Sequence, residues 1–346
     1  MHAELYVMDQ NKKKPVIGIT MGDPAGIGPE IVARVLQSSE VRDQCVPVVI
    51  GDPMVMDKSI DLVRANLTTK VVSAASAAGT DRSTVYVVST GELRDVTLVA
   101  GKLDARYGQA AADCCRRAVE MVQAGEIQAI VSTPVNKEAF RAAGITALDD
   151  MAFFEECFGG ADDAYMVGEV SGIWVTIVTF HIGLKEVSDF VTRRTVLDKI
   201  LGLKKVMESA GVASIRIGVA ALNPHAGEGG MFGREEIDEI SPAVIQAAEE
   251  GFDVVGPIPA DSIFLNALEG EFNGLVFMYH DQANIGRKIL GRERPGVTLY
   301  IGMPAPVLTV PHGTAFDIAW QGKARADMLL KCTVTAARMA ANTKSR

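Results

Sequence analysis

The chain has 346 residues and a formal net charge of −9. That length supports two domains and a large core, and the acidic balance argues against nucleic acid or an anionic membrane as the main partner. Hydrophobic residues make up 48% and aromatics only 6%, the balance of an α/β core rich in Ala, Val and Ile. An anionic small molecule remains an admissible ligand, because a local cluster of cations overrides the average charge.

No run of 18 apolar residues is present, so no membrane span is expected. Met1 to Lys14 is polar and ends in three lysines, unlike a secretory signal. The five cysteines, Cys45, Cys114, Cys115, Cys157 and Cys332, form no C-x-x-C pair and read as reduced thiols. These features together predict a soluble cytoplasmic protein with a partly disordered Met1 to Lys14 extension.

Strand-like and helix-like stretches alternate almost throughout. Val16 to Met21 reads as a strand, and Gly28 to Gln37 as a helix with Pro29 in its first turn. Val46 to Ile50 reads as a strand ending at Gly51, Asp52 and Pro53. Ala105 to Gln123 carries a helical period, and Ala129 to Ser132 is a short strand before Thr133 and Pro134. Val175 to Phe180, Ile215 to Ala221 and Leu275 to Tyr279 are further buried-strand candidates. The alternation predicts a two-domain α/β fold with mainly parallel sheets, helices on both faces and a ligand cleft between domains. The expected terminal domain joins residues 15–135 and 304–346, with residues 136–303 inserted as a middle domain.

Four of the five histidines, all but His2, sit in compact motifs of polar residues and glycine. They are His181 in Thr-Phe-His-Ile-Gly, His225 in Asn-Pro-His-Ala-Gly-Glu, His280 in Tyr-His-Asp-Gln and His312 in Pro-His-Gly-Thr-Ala. Several follow strand-like runs, and residues just past strand ends gather at one rim of an α/β sheet. Imidazole binds divalent metals and titrates near neutral pH. A scarce residue concentrated there points to a metal or proton-transfer site, although the separations match no short zinc motif.

Met21 to Glu30 joins a strand to a helix through three glycines. It is equally accounted for as an anion-binding turn or a tight βα turn. Asn223 to Glu236 places four glycines and several carboxylates around His225. Gly256 to Asp261 presents an acid after a proline-framed turn, and Thr133 to Lys137 presents a lysine after a strand. An acid and a lysine in one cleft would serve proton transfer, whereas each alone is commonly a solvated charge. Asp317, beyond His312, is placed to accept hydrogen bonds from ribose hydroxyls, which favours NAD over NADP.

Six motifs in order resemble the 4-hydroxythreonine-4-phosphate dehydrogenase family of pyridoxine biosynthesis, across nearly the whole chain. They are Met21 to Glu30, Thr133 to Lys137, Asn223 to Glu228, Gly256 to Asp261, Tyr279 to Gln282 and His312 to Ala315. The His312 segment also looks like the adenosine-binding loop of the isocitrate and isopropylmalate dehydrogenases. The resemblance implies that wider group's fold and a homodimer whose active site lies at the interface. It implies one divalent metal (Zn, Mg, Mn or Co) on His181, His225 and His280, at least one of them from the other subunit. It also implies oxidation of a secondary alcohol with NAD, to a β-keto acid that can then lose carbon dioxide. Lys137 and Asp261 become acid/base candidates. Asp281 orients His280 or positions substrate, and His312, Gly313, Thr314, Ala315 and Asp317 hold the cofactor.

The chain departs from the family pattern at its substrate residues. Where the family reads Gly-His-Thr-Glu, this chain has Asp149, Asp150, Met151 and Ala152. Lys288 matches a phosphate-binding lysine, but Thr298 and Val307 replace the asparagine and arginine. Valine for a bidentate guanidinium removes a strong phosphate anchor, and Asp150 adds repulsion toward a dianion. Arg287, Arg292 and Arg294 form either a replacement anion site or a solvated basic loop. The preferred reading is an unphosphorylated substrate such as a cis-dihydrodiol carboxylate. The alternatives are 4-hydroxythreonine-4-phosphate or a sugar-acid phosphate and, outside this class, a phosphate acyltransferase or a non-catalytic metal-binding protein.

Overall fold

The computed structural model describes residues 13–91, 93, 96–160, 164–292 and 294–343. Most of the Met1 to Lys14 extension lies outside them. The chain divides into two compact units, residues 1–165 with 297–346, and residues 166–296.

The first unit opens with β1 (Val16–Thr20), α1 (Gly28–Val35), α2 (Ser39–Gln44), β2 (Val46–Gly51), α3 (Pro53–Leu62), β3 (Thr68–Val72) and β4 (Thr84–Ser89). It continues with α4 (Ala105–Gln123), β5 (Ala129–Ser132), α5 (Lys137–Ala142) and α6 (Asp150–Phe158). In the second unit are β6 (Tyr165–Val170), β7 (Ile173–Thr179), α7 (Val187–Phe190), α8 (Arg193–Ser209), β8 (Ile217–Ala220), α9 (Ser241–Glu249), β9 (Val254–Ile258), α10 (Ile263–Leu268), β10 (Gly274–Tyr279) and α11 (His280–Gly291). The chain then returns to the first unit with β11 (Gly296–Ile301), β12 (Val307–Thr309) and α12 (Asp327–Asn342).

Strands of the first unit run in the order β3-β4-β2-β1-β5-β12-β11. Neighbours are parallel except for β11 against β12. From Ile17 to Thr20 β1 is fully buried, which explains its apolar run without alternation. On α4, Tyr107, Ala111, Cys114, Ala118 and Met121 form a buried stripe at helical spacing. Asp104 caps that helix by accepting from the Arg106 N–H. Residues 137–158, expected in the middle domain, belong to the first unit because α5 and α6 pack on α4.

Strands of the second unit run β6-β7-β10-β8-β9, with β6 antiparallel to β7 and the rest parallel. Val196, Ile200, Leu203 and Met207 form the buried stripe of α8, and Phe264 stacks on Phe277 at 4.9 Å. Because β7, β10 and β8 are parallel, their C-terminal ends share one rim. The loops carrying His181, His225 and His280 leave from there.

All five cysteines are free thiols. Burial pushes Cys45 and Cys114 up to about 12, so neither is a thiolate near neutral pH. Among the described residues, no helix is long and apolar enough to cross a membrane.

Candidate functional site

Adjacent strand ends set up the histidine pair. Thr179 on β7 stands in register with Tyr279 on β10, and the Thr179 hydroxyl donates to the Met278 carbonyl at 2.7 Å. His181 follows Thr179 by two residues, and His280 begins α11. Their rings lie 6.0 Å apart, centroid to centroid. Phe180 lies against both, at 4.1 Å from His181 and 5.6 Å from His280. Both histidines line a recess of about 370 Å³ together with Tyr279 and Asp281. Two imidazoles binding one ion, each through a nitrogen about 2.1 Å away, have centroids roughly 5–6 Å apart. The pair therefore suits joint ligation of a divalent metal.

His280 is oriented by its neighbour. Its Nδ1 lies 2.7 Å from Asp281 Oδ1, so the carboxylate accepts from that nitrogen and leaves Nε2 for a ligand. Gln282 braces the helix start. Its side-chain oxygen accepts from the Met278 N–H at 3.0 Å, and its amide donates to the Ala221 carbonyl at 3.0 Å. The His-Asp-Gln motif thus combines a ligand candidate, its orienting acid and a structural tie.

His225 occupies a different kind of segment. From His225 to Gly229 every residue is left-handed, with φ of 52, 56, 80, 45 and 66°. For His225, Ala226 and Glu228 that region costs roughly 1–2 kcal/mol each. Glu236 holds the loop: it is 2% exposed and accepts from the Leu222 and Asn223 N–H groups at 2.9 and 2.7 Å. Asn223 Nδ2 also donates to it at 2.9 Å. The His225 Nδ1 lies 3.3 Å from Glu228 Oε1. His225 does not line the recess of the other two histidines. Among the described residues, no group of three or more His, Cys, Asp and Glu within one chain is arranged to hold a metal.

In the first unit the glycine-rich turn grips the cofactor-loop candidate. The Ile27 N–H donates to the Thr314 carbonyl at 3.0 Å, and Trp320 Nε1 donates to the Pro24 carbonyl at 2.8 Å. Buried Glu30 accepts from the Gly322 and Ala324 N–H groups at 3.2 and 2.8 Å. A Cβ on Gly28 would stand 2.5 Å from the Met21 carbonyl oxygen. Residues 20–33 are buried throughout, so this turn serves as a brace. The braced segment leaves Gly313 and Asp317 exposed while Thr314 is buried, with Ala315 at φ 43° and His312 Nδ1 3.0 Å from its neighbour's carbonyl.

Lys137 begins α5 and is exposed, and half-buried Asp150 begins α6 with Met151 next to it. Burial pushes the Asp150 carboxyl up to about 6, while Lys137 draws it down and Asp149 raises it. Thr298 and Val307 are buried in β11 and β12. In the second unit Asp261 is exposed after β9, and Lys288 is exposed on α11. Arg294 donates to the Ser171 hydroxyl at 3.2 Å. Arg287 lies against the backbone of Gly168.

The sequence motifs do not mark Glu236 or Glu30 as organisers of these loops. Burial of a charged side chain is the signal that finds them, and it is not readable from the chain alone.

The family of the pyridoxal phosphate biosynthetic protein PdxA matches residues 43–336. A provisionally named D-threonate 4-phosphate dehydrogenase of Clostridium botulinum is 37% identical over 94% of this chain and 97% of its own length. The crystal structure of a 4-hydroxythreonine-4-phosphate dehydrogenase from Burkholderia phymatum shares 37% identity, covering 95% of this chain and 99% of that one, with a TM-score of 0.80. A terephthalate 1,2-cis-dihydrodiol dehydrogenase from Burkholderia xenovorans shares 28% identity, covering 92% of this chain and 96% of its own, with a TM-score of 0.67. This chain belongs to the pyridoxal phosphate biosynthetic protein PdxA family and is an enzyme of the dehydrogenase type.

Proposed function

We propose that this protein is an NAD-dependent, divalent-metal-dependent dehydrogenase that oxidises the secondary alcohol of a small phosphorylated hydroxy acid, a sugar-acid phosphate in particular. The observation that carries the dehydrogenase site is the pairing of His181 and His280 in one recess, with rings 6.0 Å apart. A bound divalent ion would supply Lewis acidity, lowering the pKa of the substrate alcohol and stabilising the charge that develops on its oxygen. His181 and His280 hold it, Asp281 orients His280, and His225 of a second copy completes the set. Exposed Leu265, Ile285 and Ile289 on α10 and α11 support such a homodimer.

The remaining residues divide the other tasks. Lys137 and Asp261 handle protons, and the exposed Asp317 carboxylate suits acceptance of ribose hydroxyls on the braced His312 loop. Asp317→Ala is expected to raise the KM for NAD severalfold with metal affinity unchanged; unchanged cofactor affinity would remove Asp317 from this role. A β-keto acid product would lose carbon dioxide readily. Asp150, Met151, Lys288, Arg294 and Thr298 are the substrate-binding candidates.

The phosphorylated class is favoured by the 37% identity to a relative named for D-threonate 4-phosphate. A second reading, an unphosphorylated cis-dihydrodiol carboxylate, is favoured by Val307 and Thr298, which offer no guanidinium or amide to a phosphate. NADH formation by metal-loaded protein separates them. Turnover of D-threonate 4-phosphate with none of the unphosphorylated acids supports the first. Turnover only of unphosphorylated compounds supports the second, and NADH from neither class contradicts both.

A further inference from the structure

Between the two anchors of the His312 loop lies a short segment that carries the Asp317 carboxylate. On its N-terminal side the Thr314 carbonyl accepts from the Ile27 N–H at 3.0 Å, and a Cβ on Gly26 would stand 2.9 Å from Thr314 Cβ. On its C-terminal side buried Glu30 accepts from the Gly322 and Ala324 N–H groups, and Arg34 donates to the Gly322 carbonyl at 2.6 Å. Asp317 stands midway between Thr314 and Trp320.

Two residues other than glycine are left-handed in this segment: Ala315 has φ 43° and Trp320 φ 61°. For a bulky side chain that region is a true outlier, kept only where surrounding contacts over-determine it. At Trp320 the contact is its own indole, whose Nε1 donates to the carbonyl of buried Pro24 at 2.8 Å. Glycine would take the same backbone without strain, but it has no side-chain N–H to give. The chain therefore holds a strained tryptophan where the turn geometry alone calls for glycine. Within the segment the Ile318 N–H donates to the Ala315 carbonyl at 3.1 Å, and Gln321 Nε2 donates to the Asp317 carbonyl at 2.7 Å. Gly101 adds a further tie. Its N–H donates to the Ala25 carbonyl at 2.8 Å, and a Cβ on it would stand 2.7 Å from the Phe316 carbonyl oxygen. The backbone around Asp317 is thus tied down while its side chain is exposed.

We propose that Trp320 is the positioning residue of Asp317, its indole hydrogen bond to Pro24 fixing the turn from which the carboxylate meets the ribose hydroxyls of NAD. The inference rests on the ribose role proposed above for Asp317. A carboxylate held in one place both accepts from the ribose diol and repels a 2′-phosphate. Freed of the latch, it moves with its turn and does both less well. Trp320 thereby sharpens the preference for NAD over NADP.

Equilibrium binding of NAD and of NADP to wild type, Trp320→Phe, Asp317→Ala and the double variant tests the proposal. Phenylalanine keeps a ring and loses the donor. Trp320→Phe is expected to weaken NAD roughly three- to tenfold, the span of one net hydrogen bond, and to leave NADP nearly unchanged. In the Asp317→Ala background the same substitution should change NAD affinity by less than roughly twofold, because the two residues act as one unit. Fully additive losses, or equal losses for NAD and NADP, are what a merely structural role produces, and either overturns the positioning role. NAD affinity unmoved in Asp317→Ala removes the ribose reading and this inference with it. NAD affinity unmoved in Trp320→Phe, beside a weakened Asp317→Ala, removes this inference alone. Trp320→Gly relieves the left-handed strain and also lacks the N–H, so it gives the same readout if Trp320→Phe does not fold.

Discussion

Two glycine-rich loops that look alike in the sequence do opposite work. The turn at Met21–Glu30 is buried throughout, and Gly26 and Gly28 are demanded by close approach of Thr314 and the Met21 carbonyl. In the loop at Asn223–Glu236 all four glycines take positive φ values; Gly229 has open space where a side chain would be, while Gly227 and Gly233 are crowded as well. One loop is a packed brace beneath a cofactor-loop candidate. The other is a strained arm that presents a histidine outward. Glycine content announces neither role, because close approach and positive φ both exclude a Cβ.

The sharpest way to break this comparison is at the histidines. His280→Ala is expected to abolish metal binding and reduce turnover by more than roughly a hundredfold, since even an outer partner of a ligand is worth 10–100-fold. Its melting temperature should stay near wild type, because His280 is a rim residue. A variant that keeps full metal affinity would remove the pair from the site.

Next come the glycines themselves. Gly28→Ala forces a Cβ to 2.5 Å from a backbone oxygen, an overpacking cost of about 1–3 kcal/mol that lowers Tm by several degrees. Gly229→Ala meets nothing and bears only the left-handed cost of about 1–2 kcal/mol. It should weaken metal binding, and Gly28→Ala should not. Thermal melts paired with metal titrations check both, and the reverse pattern would contradict the division of labour.

Glu236→Gln sharpens the same point. An amide still accepts from the Leu222 and Asn223 N–H groups, but its nitrogen cannot accept from Asn223 Nδ2. The loss is about 1–2 kcal/mol and should appear as roughly tenfold weaker metal affinity. Unchanged affinity would mean the arm holds its shape without the clamp.

The smallest effect concerns Asp23 inside the brace. Burial pushes its carboxyl up to about 6, while the Ala25 N–H draws it down, and its Oδ2 is buried without a partner. A folded-state pKa above the unfolded value contributes stability that is fully present below about pH 4 and is lost as pH rises through about 6. Asp23→Asn should remove that slope, raising Tm more at pH 8 than at pH 4.5. Equal shifts at both pH values would contradict it.

Much of this was legible in the sequence. Ala105–Gln123 and Ala129–Ser132 are found where periodicity and the flanking turns put them, because long amphipathic and fully buried runs carry their own signal. The strand ends before His181, His225 and His280 were equally readable. Which residue holds the His225 loop was not, since Glu236 acts through backbone N–H groups 14 and 13 residues away. The placement of α5 and α6 with the first unit also escaped the pattern, because it depends on Gly108 admitting Ala139 and on Phe140 meeting Phe153.

The most direct test of the account is subunit complementation between His225→Ala and His280→Ala. Each variant alone should bind no divalent metal at the histidine site. A heterodimer of the two retains one complete set of histidines if His225 serves the partner's pair. Equilibrium dialysis of the mixed, reassembled protein should then recover one ion per heterodimer, with NADH formation returning alongside it. No recovery of metal in the mixture would contradict a site completed by a second copy.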